Sequence, residues 1–75
     1  MSKLTRPTGG EMVRFLESQG FAVVRIRGSH HVLQRGTNHT TVPVHGGQNL
    51  RIGTLRGILR DVEMSPRQFT DLRNQ

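Results

Sequence analysis

The sequence predicts an α+β fold of order α-β-β-β-α with a short C-terminal helix, in which helices cover one face of a three-stranded antiparallel sheet and leave the other open. Three observations carry that expectation. Two apolar stripes recur at helical spacing, short runs rich in β-branched residues lie between them, and the turns joining those runs contain glycine and are short enough to be hairpins.

Thr8-Gly9-Gly10-Glu11 has the form of a capping box, with the Thr8 hydroxyl and the Glu11 carboxylate each serving an unpaired amide at a helix start. Met12, Val13, Phe15 and Leu16 make one stripe, and Gly20 is placed to end the helix in the left-handed conformation that glycine adopts at little cost. The run Phe21-Ala22-Val23-Val24-Arg25-Ile26-Arg27 becomes alternating toward its end, as a strand does with one face covered and one wet. Gly28-Ser29 reverses the chain, His30 to Arg35 is the second strand, Gly36-Thr37-Asn38 turns again, and His39-Thr40-Thr41-Val42-Pro43-Val44 is the third. Pro43 has no amide hydrogen to give a ladder, so this strand ends near it or lies at an edge. Beyond the loop His45-Gly46-Gly47-Gln48-Asn49, Leu50 to Gly53 leads into a helix with the stripe Leu55, Ile58, Leu59 and Val62, while Arg56 and Arg60 fall on another face. Ser65-Pro66-Arg67-Gln68 is a second capping box with proline at the first helical position, followed by Phe69 and Leu72.

At 75 residues the chain is expected to form one domain, residues 1–75, with a small core. Its formal charge is +6 and its sequence pI about 11.8. Between Glu17 and Asp61 there is no acidic residue, while Arg25, Arg27, Arg35, Arg51, Arg56, Arg60 and every histidine lie in that stretch. Such a segment suits nucleic acid or an acidic protein as partner, and any proton transfer performed there has only imidazole to use. The absence of cysteine excludes disulfides and thiolate metal sites and fits a reducing cytosol. No apolar run suits a signal-peptide core or a membrane span, so the sequence reads as soluble and cytoplasmic. Phe15, Phe21 and Phe69 are too few for the aromatic platform on which single-strand binders stack bases.

Side chains alternate across a strand, so His30 and Val32 share one face and His31 and Leu33 the other. If Leu33 enters the core, His30 faces the open side. Taken alone, His30 reads as a solvated strand histidine, and His31 as a satisfied core or boundary histidine beside the helices. His39 and His45 could approach His30 across the sheet, yet a three-histidine metal site is disfavoured, because the stretch offers no carboxylate or thiolate and no His-x-x-x-His spacing. Neither metal nor cofactor is expected. His45 reads instead as a substrate contact on a loop, and Gly53-Thr54 as a helix start that either receives a phosphate or simply caps.

The stretches Gly20-Phe21, Arg25-Ile26-Arg27-Gly28-Ser29-His30-His31, Val42-Pro43-Val44-His45 and Leu50-Arg51-Ile52-Gly53-Thr54-Leu55-Arg56-Gly57-Ile58-Leu59 occur in an order and at a spacing that resemble the HicA family, over nearly the whole chain. That family supplies the toxin of HicAB toxin-antitoxin systems, small RNases with a double-stranded-RNA-binding-domain-like fold. Gly-Ser-His alone is a weak signal, but joined to the Gly-Thr-Leu-Arg helix start it is specific. The position of Leu33 is often aromatic in the family, a departure that bears on core packing. The resemblance implies an mRNA interferase that cleaves RNA without a metal, inhibits translation, and is held inactive by a HicB-type antitoxin. It also implies that the catalytic histidine is the one directly after the Gly-Ser turn, here His30.

The residues permit that chemistry. Metal-free RNA cleavage needs one group to take a proton from a 2′-hydroxyl and one to protonate the leaving 5′-oxygen, and imidazole suits either task near neutral pH. On this reading Arg25, Arg27, Ser29 and His45 contact the RNA, the arginines neutralising phosphates, and the antitoxin covers the His30 face with acidic groups. Two other classes stay open: a non-catalytic RNA-binding module that reads shape through phosphates and 2′-hydroxyls, and a basic protein-interaction domain built to receive an acidic partner.

Overall fold

The computed structural model describes residues 4–75. The elements are α1 (Gly9–Ser18), β1 (Ala22–Arg27), β2 (His30–Arg35), β3 (Asn38–Pro43), α2 (Ile52–Asp61) and α3 (Pro66–Arg73). The strands form one antiparallel sheet in the order β1-β2-β3. Helices from both ends of the chain pack on one face of it, which makes this a double-stranded-RNA-binding-domain-like α+β fold.

Local chemistry sets the ends of each element. At α1 the capping box is complete: the Thr8 amide donates to Glu11 Oε1 at 2.8 Å and the Glu11 amide to Thr8 Oγ1 at 3.1 Å. The helix ends as expected at Gly20, φ +93°, in a Schellman motif, with the Gly20 amide donating to the Glu17 carbonyl and the Phe21 amide to that of Leu16, both at 3.0 Å. Phe21 is thereby spent on the cap and the core, so β1 begins one residue later than the apolar run suggested. The α2 C-terminus repeats the motif, with the Met64 amide donating to the Leu59 carbonyl at 2.9 Å, but the left-handed position is filled by Glu63 at φ +58°. The α3 capping box of Ser65 and Gln68 is also complete.

Both hairpin turns have two residues, Gly28-Ser29 between the paired Arg27 and His30, and Gly36-Thr37 between the paired Arg35 and Asn38. Gly28 and Gly36 take φ of +58° and +59°, so the chain reverses at the first turn residue, where only glycine is unstrained. This corrects the third strand. Because Gly36 completes the reversal quickly, Asn38 is already in the ladder, and the strand closes at Pro43, one residue before Val44. Pro43 ends an edge strand, as its missing amide requires.

The core is built by Met12 and Leu16 of α1, Phe21 just ahead of β1, Leu33 and Val42 of the sheet face, and the whole stripe Leu55, Ile58, Leu59 and Val62 of α2 with its C-cap. Phe69 closes it from α3, its ring edge-to-face with Phe15 at 4.9 Å. Polar ties position α2 over β3: Thr40 Oγ1 donates to Asp61 Oδ2 at 2.9 Å, and Asn38 Nδ2 to Glu63 Oε2 at 2.7 Å. The C-terminal end of α2 therefore sits at the start of β3, and its N-terminal end toward Pro43. At that other end, α1 touches the sheet through Gly9. A Cβ there would strike the Pro43 carbonyl oxygen and come within 2.8 Å of the Val44 Cα.

Two outcomes are expected in chemical denaturation. Gly9→Ala loses about 1–3 kcal/mol by forcing α1 off the end of β3, whereas Gly10→Ala, whose nearest neighbour would be an Arg14 guanidinium nitrogen at 3.7 Å, is neutral or mildly stabilising. The Thr8 amide hydrogen bond, aided by the Thr8 hydroxyl and the charges of Arg73 and Arg14, holds the Glu11 carboxyl below its ordinary pKa. A carboxyl depressed in the folded state stabilises the fold above its unfolded pKa and loses that contribution as pH falls through the folded value. Between about pH 5 and pH 3, the parent should thus lose more stability than Glu11→Gln, which keeps the cap but does not titrate there.

Candidate active site

Leu33 is fully buried against the helices, so its strand neighbours His30, Val32 and Gln34 lie on the face that no helix covers. Directly paired residues share a face, and the register therefore writes out the site in rows. Arg27, His30 and Pro43 stand side by side across the sheet at the hairpin end, and Arg25, Val32 and Thr41 form the next row. Arg25, Arg27 and His30 are all exposed. The structure thus brings together the histidine and both arginines singled out by sequence, with Arg27 the nearer to His30.

That meeting depends on an irregularity. Along a regular β1, Arg25 and Arg27 would share a face with Val23, which packs on the core opposite Leu33. Instead the register steps from Val23 opposite Leu33 to Arg25 opposite Val32, leaving Val24 as the extra residue of a β-bulge. The bulge reverses the phase of the strand, turning Arg25 and Arg27 to the open face and Ile26 to the helix face. The helices do not reach Ile26, which remains 60% exposed, and Val24 is 56% exposed.

Ser29 is half-buried at the turn, and its carbonyl accepts the Val44 amide at 2.7 Å. This bond ties the hairpin tip to the segment entering the His45 loop. His45 is exposed and lines a cavity of about 360 Å³ together with Pro43, Arg51 and Thr54. Pro43 belongs both to this cavity and to the His30 row, so the two regions adjoin. Arg51 occupies the N-cap position of α2 with no side-chain cap bond, and the first turn of α2 holds no acid.

The other histidines separate from this group. His31 lies on the helix face, paired with Ile26 and Val42 and half-buried, but its Nδ1 is shielded from solvent and, among the described residues, has no hydrogen-bond partner. It is a boundary histidine, though not the satisfied one expected, because its neighbours in the ladder are apolar. His39 pairs with Gln34 near the far end of the sheet, about 13 Å along β3 from Pro43. Among the described residues no three His, Asp or Glu side chains gather as metal ligands would. Arg35 also leaves the basic face: it stacks 4.6 Å from the Phe21 ring centre and donates to the Gln19 carbonyl at the end of α1. Sequence reasoning left Gln48, Asn49 and Arg51 of the cavity unassigned. The signal present was a polar loop leading to an arginine at a helix start with no carboxylate nearby.

The family model for the HicA toxin of bacterial toxin-antitoxin systems matches residues 9–64, from the start of α1 to just beyond α2. The chain belongs to the HicA toxin family. No curated protein matches it. The HicA match takes in the entire sheet, the bulge, His30 and the cavity, and leaves α3 outside. Membership gives the protein the role of a toxin with an antitoxin as partner. Among its described residues, no helix is long and apolar enough to cross a membrane.

The bulge makes a distinctive prediction about this HicA chain. Deleting one residue from a strand normally turns every following side chain to the wrong face. Deleting Val24 should instead leave Val23 opposite Leu33 and Arg25 opposite Val32, so the variant is expected to unfold cooperatively within about 1 kcal/mol of the parent. Deleting Val32, in a strand with no spare residue, should abolish the folded state in the same denaturation assay.

Proposed function

We propose that the protein is a metal-independent endoribonuclease that cleaves mRNA and so inhibits translation, that residues 1–75 act as one HicA-like domain in the cytoplasm, and that a HicB-type antitoxin silences it by covering the open sheet face. The observation that carries this reading is the row Arg27-His30 on an uncovered face, with Arg25 in the next row and no carboxylate beside them in the ladder.

In the reaction, the 2′-oxygen attacks the adjacent phosphorus, forming the P–O2′ bond while the P–O5′ bond breaks. The products are a 2′,3′-cyclic phosphate and a 5′-hydroxyl. A proton leaves the 2′-hydroxyl and another is delivered to the 5′-oxygen; His30 serves as general base or general acid for one of these transfers. Arg27, and Arg25 beyond it, offset the negative charge that builds on the phosphoryl oxygens and hold the flanking phosphates. Ser29 and His45 contact the RNA at the hairpin tip and the loop. A sheet face this open admits a flexible single strand and equally admits a protein cover. Acidic groups of the antitoxin set against Arg25 and Arg27 would exclude RNA by occupancy and by charge together.

The test is incubation of a long mRNA in EDTA with the purified protein and with its His30→Ala variant. The parent is expected to cut, and the variant to be folded but slower by about 10²- to 10⁴-fold, the worth of one acid-base group. RNA bound but uncut by both proteins would instead support the non-catalytic binding module.

A further inference from the structure

The cavity beside the His30 row has a composition that the cleavage reaction does not call for. Its polar side chains are one guanidinium (Arg51), one imidazole (His45), one hydroxyl (Thr54) and two carboxamides (Gln48 and Asn49). Its apolar lining is Pro43 and the largely buried Leu50, and its lining contains no carboxylate. Among the described residues, none of those polar side chains has a hydrogen-bond partner within the protein, so their donors and acceptors are available to a ligand.

The walls are held in place. The Leu50 amide donates to the Pro7 carbonyl at 2.8 Å, Asn49 bridges to Thr8, and the Gln48 amide donates to the His45 carbonyl at 3.1 Å. The backbone of the loop is thus pinned between the lead into α1 and the end of β3, while its polar side chains are free to turn toward a ligand. At about 360 Å³ the cavity stands near the lower end of the range that takes small organic ligands and is roomier than a bare phosphate needs.

A cation, a hydroxyl, carboxamides that offer both donor and acceptor, and an apolar proline and leucine together fit an anion joined to a planar, hydrogen-bonding heterocycle. We infer that this cavity binds one nucleotide of the RNA next to the scissile phosphate, with its phosphate at Arg51 and Thr54, its base on Pro43 and Leu50, and the base edge read by Gln48 and Asn49. The inference rests on the RNase reading for its substrate, and it makes this cavity the place where sequence preference arises. Carboxamides read base edges because each presents a donor and an acceptor in one plane, while Arg51 supplies affinity without regard to sequence.

The test is titration of the isotopically labelled protein with each of the four ribonucleoside 3′-monophosphates and, separately, with inorganic phosphate, following amide resonances. The nucleotides should shift the backbone amides from Gln48 to Thr54 and the side-chain amides of Gln48 and Asn49, more tightly than phosphate and with unequal affinities among the four bases. Arg51→Ala should weaken all four by about tenfold, and Gln48→Ala combined with Asn49→Ala should level them. Resonances that stay still, or phosphate that binds as well as any nucleotide, would overturn the inference. A protein that cuts RNA while its cavity ignores nucleotides would leave the RNase reading intact and remove this one. A responsive cavity in a protein that never cuts RNA would remove the RNase reading and, with it, the placement next to a scissile phosphate, leaving the cavity as a nucleotide site alone.

Discussion

The phase of the side chains along β2, set by the burial of Leu33, governs the rest of the molecule. A strand has only two faces, so once Leu33 is committed to the helices, His30 is committed to solvent. Two-residue turns on either side transmit this choice to the neighbouring strands, each reversing the chain at a glycine with positive φ. The choice runs the full length of β3, and in β1 it holds from the turn back to Arg25, beyond which the bulge at Val24 shifts the register. Burial of one leucine, worth about 1.5–3 kcal/mol, therefore decides which face a histidine three residues away presents. The site has no scaffold of its own. It is the reverse side of the core.

Much of this was legible in the sequence because it rests on local chemistry. Both capping boxes, Gly20 as terminator, the α2 stripe and the exposure of His30 follow from residues within a few positions of one another, and all appear in the structure. The bulge at Val24 was not legible. Its run is apolar at both parities, Val23 and Val24 alike, so alternation could not reveal where the phase changes, and only the pairing with β2 does so. The ends of β3 were blurred for a related reason, since Asn38 reads as a turn residue until its pairing with Arg35 is known. The cavity was hidden more deeply. It joins the end of β3, a loop and the first turn of α2, and its residues meet because Gly9 lets α1 close on Pro43 and Pro7 pins Leu50.

The placement of the few acids explains why the open face is basic without being crowded with bases. Asp61 and Glu63 are drawn to the far end of the sheet by Thr40 and Asn38, Glu11 is held in the α1 cap, and Asp71 pairs weakly with Arg67 on α3 at 4.0 Å. Arg35 and Arg73, each stacked over a phenylalanine, are likewise withdrawn into structural duty. What remains around His30 is a modest number of cations with nothing to oppose them. An unopposed pair such as Arg25 and Arg27 makes a stronger local positive field than a larger set already neutralised by neighbours.

The extra residue in β1 has one more effect. That strand forms the outer margin of the sheet, with Val24 and Ile26 exposed along it and a row of backbone groups without a neighbouring strand. Left straight, such a margin invites a second copy to add on, and then a third, in the manner of fibrils. A bulge increases the local twist and breaks the even spacing of the ladder, and flanking arginines repel an identical strand laid against them. The same insertion that aims the arginines therefore makes the outer margin of the sheet a poorer template for a second copy of the chain.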